Sequence, residues 1–193
     1  METLLNLFLS ALVGAVVVYV FGIRRLSLES RNAFIQRQLA EFYSPMAGYR
    51  RRIRLKSELR VQVSNAASSA WKEVANRLAQ GDRSDEAFLP YKRIISYDNR
   101  QFAEEFFPLY KKMLDLFADK YWLADDDTRQ FYEGFLKYVE IWERDLADAL
   151  PGDVLKRLDH SEENVKPFYD HIEEKLSILR LEIREPSFWK MRL

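Results

Sequence analysis

No cysteine occurs among the 193 residues, histidine occurs only twice, and glycine and proline occur six times each. Each scarcity removes a class of chemistry. Without cysteine there is no disulfide framework, no thiolate metal site and no cysteine nucleophile. The glycines, at positions 14, 22, 48, 81, 134 and 152, are too scattered to assemble a phosphate-binding loop or a dinucleotide fingerprint, and no Gly-x-Ser-x-Gly elbow is present. So few turn formers, beside 48% apolar residues, argue against disorder and against a loop-rich β fold. No segment alternates apolar and polar residues between turn signals, so strands are not expected.

Charge is missing too, from one long stretch. Leu4 to Ile23 carries none, and about 20 residues at roughly 1.5 Å each match a hydrocarbon core of about 30 Å. The run is apolar on all sides and has no face to offer water. A cleaved signal peptide fits poorly, because acidic Glu2 but no Lys or Arg precedes the run, and no small-x-small cleavage site precedes Arg24. A transmembrane helix is therefore expected. Arg24 and Arg25 follow it at once, which places the C-terminal domain on the cytoplasmic side and Met1 to Thr3 outside. Ser10 with Gly14, and Ala11 with Ala15, put small residues four apart, a spacing that lets two spans approach for self-association.

A formal net charge of zero hides an asymmetry. From Arg24 to Arg60 ten basic residues face three acidic ones, and from Val61 onward 20 basic residues face 26 acidic ones. The membrane-proximal basic set comprises Arg24, Arg25, Arg50, Arg51, Arg52, Arg54 and Lys56. The cluster from Arg50 to Lys56 allows three readings. It could bind anionic lipid headgroups, at about 1 kcal/mol per residue near the surface, if the chain folds back toward the bilayer. It could pair with the acidic distal half, within the bundle or between subunits. A nucleic-acid role is disfavoured, because the rest of the domain is acidic.

Apolar spacing after Arg24 is helical throughout. Leu28, Ile35, Leu39 and Phe42 continue the span as a stalk, and Tyr43-Ser44-Pro45 predicts a helix stop followed by a new start. Leu55 to Leu78 steps by three and four, and Gln80 to Asp85 is a loop. Pro90 opens a third segment, with Asp98-x-x-Gln101 as an N-cap and Pro108 as a kink. Asp125-Asp126-Asp127 introduces a helix running to Leu150 and ended by Pro151-Gly152, and a last helix carries Val165 to Ile183. The expected architecture is all-α: an anchor over 1–24, a helical stalk over 25–44, a cytosolic helical bundle over 45–186 and a tail over 187–193. Aromatic residues flank four of the prolines, as in Phe42-Tyr43-Ser44-Pro45 and Phe106-Phe107-Pro108, and read as plugs packed against helix breaks.

Ile94-Ile95-Ser96-Tyr97-Asp98-Asn99, Phe107-Pro108-Leu109-Tyr110-Lys111-Lys112-Met113, Tyr121-Trp122-Leu123-Ala124, His160-Ser161-Glu162-Glu163 and Pro167-Phe168-Tyr169 are the most distinctive runs. With the Phe-Tyr-x-Pro element at Phe42 to Pro45, the chain resembles a family of uncharacterised bacterial single-pass membrane proteins. That resemblance covers most of the chain and implies a bacterial inner-membrane location. It implies no catalytic residue.

His160-x-x-Glu163 and His171-x-x-Glu174 each suggest a metal-ligand pair. On a continuous helix the two histidines would stand about 16 Å apart, too far to share an ion, so neither a metal site nor a cofactor is expected. His160-Ser161-Glu162-Glu163 fits a helix-start cap better. Glu140, Glu143, Asp145 and Asp148 fit the polar face of an amphipathic helix better than an acid–base pair. The expectation is a non-enzymatic membrane protein whose helical domain binds an unidentified protein or itself. The alternative is a membrane-acting effector of a phage-defence or toxin-like system, working through the span.

Overall fold

The computed structural model describes residues 2–78, 85–158 and 160–184; the side chains of residues 2–13, 16, 17 and 85 are outside that description. The expected loop at 80–85 and tail at 187–193 therefore lie almost wholly outside the described residues. The described residues are helical, with no strand. Among them no helix is long and apolar enough to cross a membrane. The Leu4–Ile23 expectation falls largely on side chains outside that set, as do Ser10 and Ala11.

Helix α1 (Glu2–Gln38) does not stop at Tyr43-Ser44-Pro45 as expected. It passes through a π-helical turn (Leu39–Tyr43) into α2 (Ser44–Arg77). In the turn the Ser44 amide donates to the Leu39 carbonyl, five residues back. Pro45 has no N–H to give Glu41, and its ring would crowd that carbonyl in an ordinary α-turn. Widening the turn removes the conflict without breaking the helix. The same device recurs downstream. Helix α3 (Asp85–Gln101) runs through a π turn (Phe102–Phe106) into α4 (Phe107–Asp119), with Phe107 N–H donating to the Phe102 carbonyl just before Pro108. Each proline stands six residues after the first residue of its π turn.

Other expected boundaries also shift. Helix α3 begins before Pro90, which falls inside it. Asp98 is mid-helix and caps nothing; its carboxylate pairs with Arg60 at 3.6 Å. The triple aspartate opens a single short turn, α5 (Asp126–Arg129), before α6 (Tyr132–Leu146). Helix α6 ends four residues earlier than expected. Asp148 takes φ 52°, Ala149 N–H donates to Arg144 O at 2.8 Å and Asp148 N–H to Asp145 O at 3.0 Å. That is a left-handed cap of the Schellman type, and it stops the helix ahead of Pro151. A turn α7 (Gly152–Leu155) and the last helix α8 (Lys166–Arg184) follow.

The end of α1, the first three turns of α2, and α4, α6 and α8 enclose an aromatic core of Phe42, Tyr43, Met46, Ile53, Met113, Phe117, Phe135, Phe168 and Ile172. Phe117 stacks on Phe168 with ring centres 5.5 Å apart and meets Phe42 edge-on at 5.4 Å. The aromatics beside three of the four prolines are buried (Phe42, Tyr43, Phe106, Phe107, Phe168 and Tyr169), whereas Phe88 and Tyr91 beside Pro90 are half-buried, and Pro45, Pro90 and Pro108 mark no helix break. Beyond Ile53, α2 leaves this core and pairs with α3 as a two-helix arm. Trp71 packs against Phe88 and Tyr91 at 5.0 and 5.3 Å in the arm.

Candidate functional site

Most of the basic run is spent inside the molecule. Arg50 bonds Glu162 at 2.6 Å and lies 3.9 Å from the centre of the Tyr169 ring. Arg54 bridges Glu58 at 3.8 Å and Glu173 at 3.4 Å, and Lys56 bonds Glu105. Pairing with the acidic distal half is therefore the geometry these three adopt. Arg51 and Arg52 are exposed and form no ion pair among the described residues. Arg25 pairs with Glu29 at 2.8 Å, whereas Arg24 is exposed and unpaired among the described residues. Between Arg24 and Arg50 the helix continues with only the π turn intervening, about 40 Å of rise. Of the small-residue face, Gly14 and Ala15 are exposed.

Two polar centres adjoin the π turns. The first fastens the end of α1. Buried Gln38 donates from Nε2 to Leu123 O and to Asp125 Oδ1, each at 2.8 Å. Asp125 N–H donates to the Tyr43 hydroxyl at 3.2 Å, Tyr43 meets Thr128 Oγ1 at 2.9 Å, and Thr128 Oγ1 meets His171 Nε2 at 2.9 Å. Lys175 bonds Asp125 at 3.0 Å and reaches Asp127 at 3.7 Å. Burial, and then the charge of Lys175, push the His171 imidazole below its ordinary range, so its neutral form is favoured. Burial raises the Tyr43 hydroxyl. Burial works against charged Lys175, yet its hydrogen bond to Asp125 and that carboxylate's charge outweigh this and raise it. With His171 neutral every proton in the chain has a place: Asp125 N–H to Tyr43, Tyr43 O–H to Thr128, Thr128 O–H to His171. A hydroxyl beside an imidazole suggests a nucleophile, but Thr128 is 0% exposed and no substrate can reach it. The chain of bonds ties α1 to α5 and α8.

The second centre is a cavity of about 450 Å³ at the base of the arm, beside the second π turn. Phe102 and Phe106 of that turn, Tyr110 of α4, and Tyr138 and Trp142 of α6 supply aromatic walls. Trp142 meets Phe102 edge-on at 4.8 Å and His160 at 5.3 Å. Arg60, Asp145, His160 and Glu162 bring the ionisable groups. Arg60 is engaged by Asp98 and Glu162 by Arg50, but the Asp145 carboxylate has no hydrogen-bond or ion-pair partner among the described residues. Asp145 is half-buried at the cavity wall, Glu140 and Asp148 are exposed, and Glu140 and Glu143 pair with Arg144 and Lys111.

A third feature is the arm's outer surface. Leu55, Leu59, Val61 and Val63 on α2 are 57%, 60%, 58% and 39% exposed, and Ile95 and Tyr97 on α3 are each 51% exposed. Leu59 and Val63 with Ile94 and Tyr97 line a groove of about 380 Å³ rimmed by Lys56 and Arg93.

His160 and His171 lie at different centres. Among the described residues no group of His, Cys, Asp or Glu is arranged to hold a metal ion. Ser161 does cap the following turn, its hydroxyl accepting from Glu163 N–H at 3.2 Å. Gln38, Tyr43, Asp125, Thr128 and Lys175 were not singled out by the sequence as a group, and no spacing signals them, since the partners lie 43 to 87 residues apart. No family model, no curated protein and no solved structure matches this chain.

Proposed function

We propose that this is a single-pass protein of the bacterial inner membrane, held by Leu4 to Ile23 with its N-terminus outside, whose cytoplasmic helical domain assembles with a second copy through the α2–α3 arm. The uncharged run followed by Arg24 and Arg25 supports the anchor and its orientation. The observation that carries the assembly is the apolar stripe of Leu55, Leu59 and Val63, spaced by four on α2 and left exposed beside Tyr97 of α3. A two-helix arm has one inner seam, and apolar residues outside it stay in water unless another chain covers them. The domain acts as an interaction module.

The test uses the full chain in detergent, with mass measured by light scattering and by crosslinking. Leu59→Glu and Val63→Glu should each convert an assembly to a monomer while leaving helicity unchanged. A monomeric wild-type chain, or assembly untouched by both substitutions, refutes the arm as the interface. Assembly that survives them but is lost in Gly14→Leu moves the interface into the span and favours a membrane-acting effector.

A further inference from the structure

We propose that the cavity at the base of the arm is a binding site for an aliphatic amine, of the polyamine class, that carries N–H donors on an apolar chain. The proposal does not depend on self-assembly. Three observations converge on one ligand chemistry. The walls at Phe102, Tyr138 and Trp142 are aromatic, and ring faces attract cations while their bodies accept methylene groups. Among the ionisable lining groups the one free of a partner among the described residues is a carboxylate, Asp145. Arg60, the cation of the lining, is engaged by Asp98 at 3.6 Å, and Glu162 is engaged by Arg50 at 2.6 Å, which leaves the Asp145 charge unbalanced. The site therefore offers negative potential to a cation and no free guanidinium to an anion.

His160 sharpens the class. Its Nδ1 lies 2.8 Å from the Leu158 carbonyl oxygen, which can only accept, so Nδ1 carries a proton, and the tautomer this selects has Nε2 as its acceptor. Acceptors at Asp145 and at His160 suit an ammonium that still bears hydrogens, and a fully alkylated ammonium has nothing to donate to them. A volume of about 450 Å³ accommodates a chain of a dozen heavy atoms.

Titration calorimetry of the full chain in detergent, with spermidine as the probe, tests this. Spermidine should bind saturably, and Asp145→Asn, which preserves shape and removes the charge, should weaken it at least about tenfold. Tetramethylammonium should bind at least about tenfold more weakly than spermidine, because it lacks the N–H groups, the apolar chain and the further positive charges of the polyamine. Glu133→Gln, which removes an exposed carboxylate outside the cavity, is the control for diffuse attraction of a polycation and should leave the affinity unchanged. The proposal is overturned by absence of saturable binding, by equal affinity in Asp145→Asn, by tetramethylammonium matching spermidine, or by Glu133→Gln weakening binding as much as Asp145→Asn. Unchanged far-ultraviolet dichroism in each variant keeps these outcomes free of misfolding.

Discussion

Thr128→Val removes a single oxygen from a fully buried position and keeps the side-chain shape, so its effect is a clean reading of the hydrogen-bond chain from Asp125 to His171. The two bonds lost are both 2.9 Å long, but they are not equivalent. On the Tyr43 side the phenol is 0% exposed, and its proton loses its acceptor. An orphaned buried donor costs about 1–3 kcal/mol. On the other side His171 is only half-buried and can turn to water, so that bond costs about 0.5–1.5 kcal/mol. The sum centres near 3 kcal/mol, equivalent to a fall in Tm of roughly 6–12 °C for a chain of this size. Thermal unfolding of the full chain in detergent, followed by near-ultraviolet dichroism, measures it. Tyr43→Phe should also destabilise, and the double variant should cost less than the two single losses added, because it leaves no unmatched pair between the first π turn and α5. A loss below about 0.5 kcal/mol for Thr128→Val, or strict additivity in the cycle, refutes the chain as a fastener of α1.

Protonating His171 turns its Nε2 into a donor, which reverses the bond to Thr128: that oxygen can accept from both Tyr43 and His171, but its own proton loses its acceptor. Its folded-state pKa lies below the ordinary 6.5, so this contribution to stability is complete above pH 6.5 and is lost as pH falls from there through the depressed folded value. Urea midpoints across that window should fall, and His171→Gln should flatten the slope. Tyr169→Phe should behave oppositely to Thr128→Val: the buried Tyr169 hydroxyl has no hydrogen-bond partner among the described residues, so melting should be unchanged or raised by up to about 2 kcal/mol. Asp148→Gly should stabilise by about 0.5–1 kcal/mol, because φ 52° strains an aspartate and suits glycine; a lower Tm would mean that the Asp148 side chain contributes what the backbone argument omits.

How much of this the sequence contains depends on the range over which each contact acts. Helical periodicity is local, so the all-α class and the inward placing of Met113, Phe135, Phe168 and Ile172 follow from spacing alone. The end of α6 was also local, but it was missed because Asp148 does not advertise a left-handed cap as glycine would. Contacts across the fold are different. Nothing near Gln38 or Thr128 says that Asp125 or His171 will meet them, and the histidines attracted attention through their nearby glutamates, which are not their partners here.

At the prolines the local sequence carries the signal for a continuing helix beside the signal for a boundary. A proline after a long amphipathic run is ordinarily a boundary, yet both Pro45 and Pro108 sit just past π turns in helices that continue. The overlooked signal is the pair of adjacent aromatics before each proline. Neighbouring residues on an α-helix point about 100° apart, so Phe42 with Tyr43, and Phe106 with Phe107, could not both be fully buried on one narrow stripe. All four are buried. The extra residue of a π turn supplies the missing rotation and moves the carbonyl that the proline ring would strike. It also shifts the register of everything upstream relative to the core. Gln38 precedes one turn and is buried against Asp125, and Asn99 precedes the other and lines the cavity with Asp145. A single local adjustment thus relieves the proline and buries two rings, and at the first turn it also brings the polar Gln38 to an interior position.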